Sequence, residues 1–373
     1  MPQSIDWQAL EAEISLYLSD AREQYDIPGA IFALVQGGET RLLQGHGVDH
    51  VAKGTPADPR ISYYLIGSVS KLITATAIMQ CVERGQLALH EDVNQYLNQF
   101  QVPQTYPEPI TLHHLLTHTA GFDDRFLELG VMNAADLETQ GDYLSRRLPP
   151  RIQPPGVVYN YSNFGIVLAA HLVEVVTGTP FEDYVDEHVA RPLGMRTGGF
   201  HQPRPRHIAG QLATTYRSGG VEPAPWQNAA SQVWASGAYA ATAEDMAKFM
   251  LAHLAEEDGK ALQPATLATM HARQFINHPA LTRGHCYVFH ERFKHGQRII
   301  WHTGRVNSFA AQLVLVPDLD LGFFAAFNAD DGDQTREELL DLVASHCFPE
   351  QPILPRPVVE PLTSNGAQVV AGA

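Results

Sequence analysis

Two residues three positions apart carry the first chemistry in this sequence. Ser68 and Lys71 stand in the run Ile66-Gly67-Ser68-Val69-Ser70-Lys71-Leu72-Ile73-Thr74-Ala75. Between Ile61 and Val82 the only charged residue is Lys71. The apolar positions there run nearly all round a helix, the pattern of a buried one. An ammonium in such a setting is costly unless it is paired or gives up its proton. One helical turn places Ser68 and Lys71 on the same face. A serine hydroxyl needs a base to become a nucleophile, and a desolvated lysine of depressed pKa can be that base. At a helix N-terminus, free backbone N–H groups and the positive dipole end favour a developing oxyanion. The alternative is a capping serine beside a lysine that snorkels to water. Lys53, Lys248, Lys260 and Lys294 sit in the polar contexts expected of such lysines, and Lys71 does not.

Two more segments could join this pair. Val157-Val158-Tyr159-Asn160-Tyr161-Ser162-Asn163-Phe164-Gly165 precedes an amphipathic helix running to Thr177, with Gly178 past its end. Ser162 or Asn163 could also be no more than a helix cap. Ile299-Ile300-Trp301-His302-Thr303-Gly304-Arg305 is a strand ending in a glycine, where another backbone must come close. The alternative is an edge strand with a surface histidine. Other chemistries lack their signatures. There is no G-x-S-x-G, and neither His90-Glu91 nor His290-Glu291 continues into H-E-x-x-H. Gly45-His46-Gly47 lacks the third glycine of a phosphate loop. His114 and His118, four apart, could share a helix face, but no third ligand stands at metal spacing, so capping and packing are expected of them. We expect no metal and no cofactor.

The elements that must position these residues are legible from periodicity. Asp6 can cap a helix with Leu10, Ile14, Leu18 and Ala21 on one face, ending before Pro28. Strands Ala30–Val35 and Thr40–Gln44 flank Gly37-Gly38, a hairpin signal. From 68 to 280 the pattern is mostly helical, with a marked helix start at Thr179-Pro180-Phe181-Glu182. Strands return at Cys286–Arg292, Arg298–His302, Phe309–Val316 and Leu321–Asn328, and a helix follows over Thr335–Cys347. This predicts an α+β fold: an antiparallel sheet of about five strands built from both chain ends, flanked by terminal helices, with an inserted all-helical domain. The expected division is 6–67 plus 281–348 for the sheet domain, 68–280 for the helical insert and 349–373 for a proline-rich linker and tail.

Composition excludes whole classes of partner. With 25 basic against 41 acidic residues the 373-residue chain carries −16, a charge that repels phosphate backbones and anionic lipid. We expect neither nucleic acid nor membrane as a partner. Oligomeric state is not legible. Three scattered cysteines, Cys81, Cys286 and Cys347, support neither a disulfide framework nor a zinc ribbon. No run approaches the ~18 apolar residues of a membrane span, and the first residues lack the pattern of a secretory signal. If the chain is complete as given, a cytoplasmic location is expected; a mature or truncated form would fit the periplasm or the exterior.

Ser68-Val69-Ser70-Lys71, Tyr161-Ser162-Asn163 and His302-Thr303-Gly304, in this order, resemble the serine β-lactamase-like family: class C β-lactamases, D-alanyl-D-alanine carboxypeptidases, and related esterases and D-aminopeptidases. Ile110–Phe122 and Ala235-Ser236-Gly237 leading into Thr242–Met246 resemble it too, so the likeness spans roughly 10 to 347. The resemblance implies the same sheet with a helical insert. It implies Ser68 as acylated nucleophile, Lys71 and Tyr161 as a coupled pair moving its proton, and Asn163 holding the substrate amide and Lys71. It implies backbone N–H groups of Ser68 and Arg305 as the oxyanion hole, with His302 and Gly304 lining the substrate site, and water entering from the Tyr161 side.

Relatives that open β-lactams carry Lys-Thr-Gly where this chain has His302-Thr303-Gly304, and that lysine holds the substrate carboxylate. The expected activity is therefore a serine hydrolase of esters or small peptides and amides, esterase or D-aminopeptidase more than β-lactamase. An acyltransferase or transpeptidase using the same acyl-enzyme is the near alternative. A non-catalytic sensor binding peptidoglycan fragments or β-lactams is the distant one.

Overall fold

The computed structural model describes residues 5–125, 127–195, 198–217, 219, 222–224, 229–254 and 259–349. Asp6 caps α1 (Trp7–Gln24) by accepting from the Ala9 N–H, and Leu10, Ile14, Leu18 and Ala21 form its buried stripe. The hairpin β1 (Gly29–Gln36) and β2 (Glu39–His50) follows, then the two-residue β3 (Thr55–Pro56). Short pairs come next in the chain: β4 (Tyr64–Leu65) with β7 (Ala240–Ala241), and β5 (Gly130–Val131) with β6 (Ala230–Ser231). The later strands are β8 (Gly284–His285), β9 (His290–Lys294), β10 (Gln297–Val306), β11 (Phe309–Val316) and β12 (Leu321–Phe327).

One antiparallel sheet has the order β3-β2-β1-β12-β11-β10-β9-β8. It holds eight strands where about five were expected. The two-residue strands β3 and β8 at its edges are too short to show any alternation, and β9 begins four residues later than the apolar run that suggested it. The pairing of β1 with β12 joins the two chain ends, with Phe32 opposite Ala325.

The middle strands are apolar on both faces. Ala30, Phe32 and Leu34 of β1 pack with α1 and α10 (Thr335–Cys347), while Ile31, Ala33 and Val35 face the opposite core. Phe323 and Phe324 of β12 divide in the same way. The intervening helices are α2 (Ser70–Glu83), α3 (Leu112–Leu116), α4 (Gln140–Arg147), α5 (Asn163–Thr177), α6 (Phe181–Val185), α7 (Arg206–Gln211), α8 (Ala243–Leu254) and α9 (Pro264–His271). We propose that 68–280 forms the inserted helical part, although α8 from this stretch lies on β1 and β12.

Local expectations divide. The helix start at Thr179 moves on by one residue: Pro180 is the cap position, and the Phe181 N–H is satisfied by Glu174 Oε1 at 3.1 Å instead of by Thr179. The tail from residue 350 lies outside the described residues. Among the described residues no single helix is long and apolar enough to cross a membrane. Cys81, Cys286 and Cys347 are free thiols.

Asn328, fully buried at the end of β12, ties the sheet to its surroundings. Its Oδ1 accepts from the Gly29 N–H at 2.7 Å, and its Nδ2 donates to the carbonyls of Val48 at 3.2 Å and Thr214 at 3.1 Å. Replacing it with leucine leaves these groups unpaired. Asn328→Leu is expected to lower the unfolding free energy by about 3 kcal/mol, read from the denaturant midpoint.

Candidate active site

Ser68 lies in a 3-10 turn, Gly67–Val69, immediately before α2, and Lys71 is the second residue of that helix. The turn keeps the serine over the lysine, with Lys71 Nζ 2.9 Å from Ser68 Oγ. Lys71 is fully buried, so the snorkelling alternative fails. Its amine reaches two further oxygens, Asn163 Oδ1 at 2.8 Å and the Ser236 carbonyl at 2.7 Å. Burial drives the lysine pKa well below its ordinary value, opposed only by the negative charge of Asp124.

Asn163 Oδ1 and the Ser236 carbonyl are acceptors only, so they take two N–H bonds. The remaining position of the amine faces the Ser68 hydroxyl. Tyr161 completes the centre, its Oη donating to Ser68 Oγ at 2.7 Å. Burial raises the Tyr161 pKa above the ordinary phenol value, so the phenol keeps its proton. The Lys71 amine also stands 4.8 Å from the centre of the Tyr161 ring.

Tyr161 is held by its neighbours in sequence. The Asn160 N–H donates to the His118 carbonyl at 2.7 Å, and the Ser162 N–H donates to His118 Nδ1 at 3.2 Å. His118 also packs its ring 4.5 Å from that of Tyr161. Sequence reading placed His118 on a helix face with His114, but α3 ends at Leu116 and His118 has a left-handed backbone, φ 55°. His114 does act as a cap, its Nδ1 accepting from the Thr111 N–H at 3.2 Å. Ser162 is the cap of α5, accepting from the Gly165 N–H at 3.1 Å, which leaves Asn163 free to face the lysine.

The third element is an inner strand. β10 runs between β9 and β11, so His302 is 2% exposed and not a surface histidine. Its ring lies 6.3 Å from that of Tyr161 and 4.9 Å from that of His290. Burial, with the neighbouring His290 and Lys71, keeps the His302 pKa well below the usual value, so the ring is neutral. Gly304 crosses the Ser68 turn at close range. A Cβ there would lie 1.9 Å from the Ile66 carbonyl oxygen and 2.9 Å from the Ser68 nitrogen. A Cβ on Gly67, φ 53°, would in turn lie 2.3 Å from the Arg305 nitrogen. The backbone nitrogens of Ser68 and Arg305 thus meet at one crossing. The Arg305 guanidinium is engaged elsewhere, by Asp330 at 3.2 Å and Asp333 at 3.1 Å.

Some members of the site were not named from sequence. The Ser236 carbonyl, Asp124 and Arg336 each touch or face the centre, Arg336 by donating to the Gly304 carbonyl at 2.8 Å. Only Ser236 carried a signal, the small-residue run Ala235-Ser236-Gly237 that allows two backbones to approach. A backbone acceptor and charges from distant loops leave no spacing pattern.

The beta-lactamase family profile matches residues 14–348. Esterase EstB of Burkholderia gladioli is 34% identical over 234 residues, covering 59% of this chain and 58% of the relative. The putative penicillin-binding protein PbpX of Bacillus subtilis is 32% identical over 221 residues, covering 58% of this chain and 52% of the relative. The chain thus spans somewhat over half the length of these curated relatives. The solved β-lactamase/D-alanine carboxypeptidase from Pseudomonas syringae superposes with a TM-score of 0.75 at 18% identity, over 91% of this chain and 100% of that one, a likeness of fold.

The crossing at Gly304 generates a direct prediction. Gly304→Ala must push β10 away from the Ser68 turn, separating the two backbone nitrogens. A fluorophosphonate is expected to label Ser68 at least about 100-fold more slowly in this variant, with circular dichroism unchanged.

Proposed function

The chain belongs to the beta-lactamase family, and we propose that within it this protein is a serine hydrolase that forms an acyl-enzyme on Ser68. The observation that carries the reading is the meeting of one hydroxyl, one buried amine and one phenol within hydrogen-bond reach. Its substrates are small esters or peptide-like amides. The curated relative named an esterase supports that direction.

Acylation proceeds by attack of Ser68 Oγ on the acyl carbon while its proton passes to the Lys71 lone pair. The oxyanion is held by the backbone N–H groups of Ser68 and Arg305. As the intermediate collapses, the leaving group takes the Tyr161 proton and Tyr161 recovers one from Lys71. Water then attacks the acyl-enzyme, gives its proton to the Lys71–Tyr161 pair, and Ser68 Oγ leaves with that proton. Asn163 holds Lys71 throughout and offers its amide to the substrate.

Charge supports the choice among substrates. His302, neutral and buried, supplies no fixed positive charge for a substrate carboxylate, and Arg305 turns its guanidinium to Asp330 and Asp333. Ester and amide substrates without that carboxylate are therefore favoured over β-lactams.

Intact-protein mass spectrometry after fluorophosphonate treatment is expected to show one adduct, lost in Ser68→Ala; an adduct that persists in the variant refutes the nucleophile. Short-chain p-nitrophenyl esters should turn over, while nitrocefin is hydrolysed poorly. The pH dependence follows from the lysine. Its pKa is depressed, so the neutral base is present above that pKa and is lost as pH falls through it. The profile of kcat/KM for an ester should therefore show an acid limb far below the ordinary lysine range, and Lys71→Arg should abolish turnover.

A further inference from the structure

A cavity of about 500 Å³ lies between the start of α4, the end of α5 and the turn at Trp234. Its polar lining includes Glu138, Gln140, Glu174 and Glu182, and Phe200 and Trp234 supply an aromatic wall. We propose that this cavity binds a small organic cation, an ammonium carried on an aryl or alkyl body.

The carboxylates are not equivalent. Glu138 is paired with Arg146. Glu174 is occupied by His171 Nδ1 at 2.9 Å, by the Gln140 amide at 3.3 Å and by the Phe181 N–H. Glu182 has no ion-pair partner among the described residues; the nearby His201 is held by Asp186 at 2.9 Å. Burial, with the charges of Glu174 and Asp183, raises the Glu182 pKa against the opposing effects of its own backbone N–H and of His201.

A second, independent feature asks for the same chemistry. Gln140 is only 3% exposed, and its carbonyl oxygen has no hydrogen-bond partner. A carboxylate and a buried amide oxygen here both lack a side-chain donor among the described residues, so a ligand carrying N–H groups complements them. The apolar side of that ligand is specified by rings: Trp234 lies 5.7 Å from Phe200 and 5.9 Å from Phe181. An indole face is the strongest aromatic partner for a cation. Trp234 also opens the turn Trp234–Ser236, whose last carbonyl accepts from Lys71, so the cavity is built on the back of the catalytic centre.

Isothermal calorimetry on the full chain tests this with phenethylammonium chloride, using 2-phenylethanol and 3-phenylpropionate as neutral and anionic counterparts. The ammonium is expected to bind, and both counterparts to bind at least about 10-fold more weakly. Glu182→Gln should weaken the ammonium about 10-fold, and Trp234→Leu comparably. Acylation of Ser68 by a fluorophosphonate should leave the affinity within about 2-fold, since the two places are separate. Glu182 is only partly buried, so its variant decides the matter even if Trp234→Leu does not fold. Absence of binding, equal affinity for the alcohol, or indifference to Glu182→Gln overturns the proposal. So does loss of binding on Ser68 acylation, which would place the ligand in the catalytic centre.

Discussion

A primary amine with no exposure to solvent is the constraint around which this protein is arranged. Lys71 could not stand in the buried setting of α2 without compensation, and three oxygens provide it: one hydroxyl, one side-chain amide and one backbone carbonyl. Each comes from a different part of the chain. The turn before α2, the start of α5 and the turn at Ser236 must all dock before the amine is satisfied. Burial then does a second service, since the same desolvation that makes the charge costly lowers the lysine pKa well below its ordinary value beside Ser68.

The sheet supplies the other half of the centre by proximity of backbone alone. β10 lies so close to the Ser68 turn that glycine is the residue that fits at both Gly67 and Gly304. Pairing of β10 with β11 and the bond from Arg336 fix the strand end, and with it the Arg305 nitrogen. The helical elements thus hold the side chains and the sheet holds the backbone donors. Both sets depend on the terminal segments meeting at β1 and β12.

Histidines give the site its individual character. His118 grips the segment carrying Tyr161 through its carbonyl and ring nitrogen, His302 lies beside the phenol, and His290 packs behind His302. All three are kept neutral by burial. The centre therefore gathers polar groups around the buried amine while adding little positive charge.

Much of this was open to reading in one dimension. The stripe of α1, the strand at Phe309–Val316 and the helix at Thr335–Cys347 follow from apolar period and capping, which are properties of adjacent residues. The spacing of Ser68 and Lys71 and the lone charge in an apolar stretch likewise marked a serine and a lysine that lie within hydrogen-bond reach. Other features could be settled only by tertiary structure. Whether Lys71 would be buried or reach water, whether His302 would sit inside or at an edge, and where the Arg305 guanidinium would turn all depend on which distant elements pack there. The count of sheet strands and the Ser236 carbonyl belong with these. Local sequence sets the conformations a segment prefers; contacts between segments far apart in the chain decide solvation, and solvation decides which groups are charged and which can react.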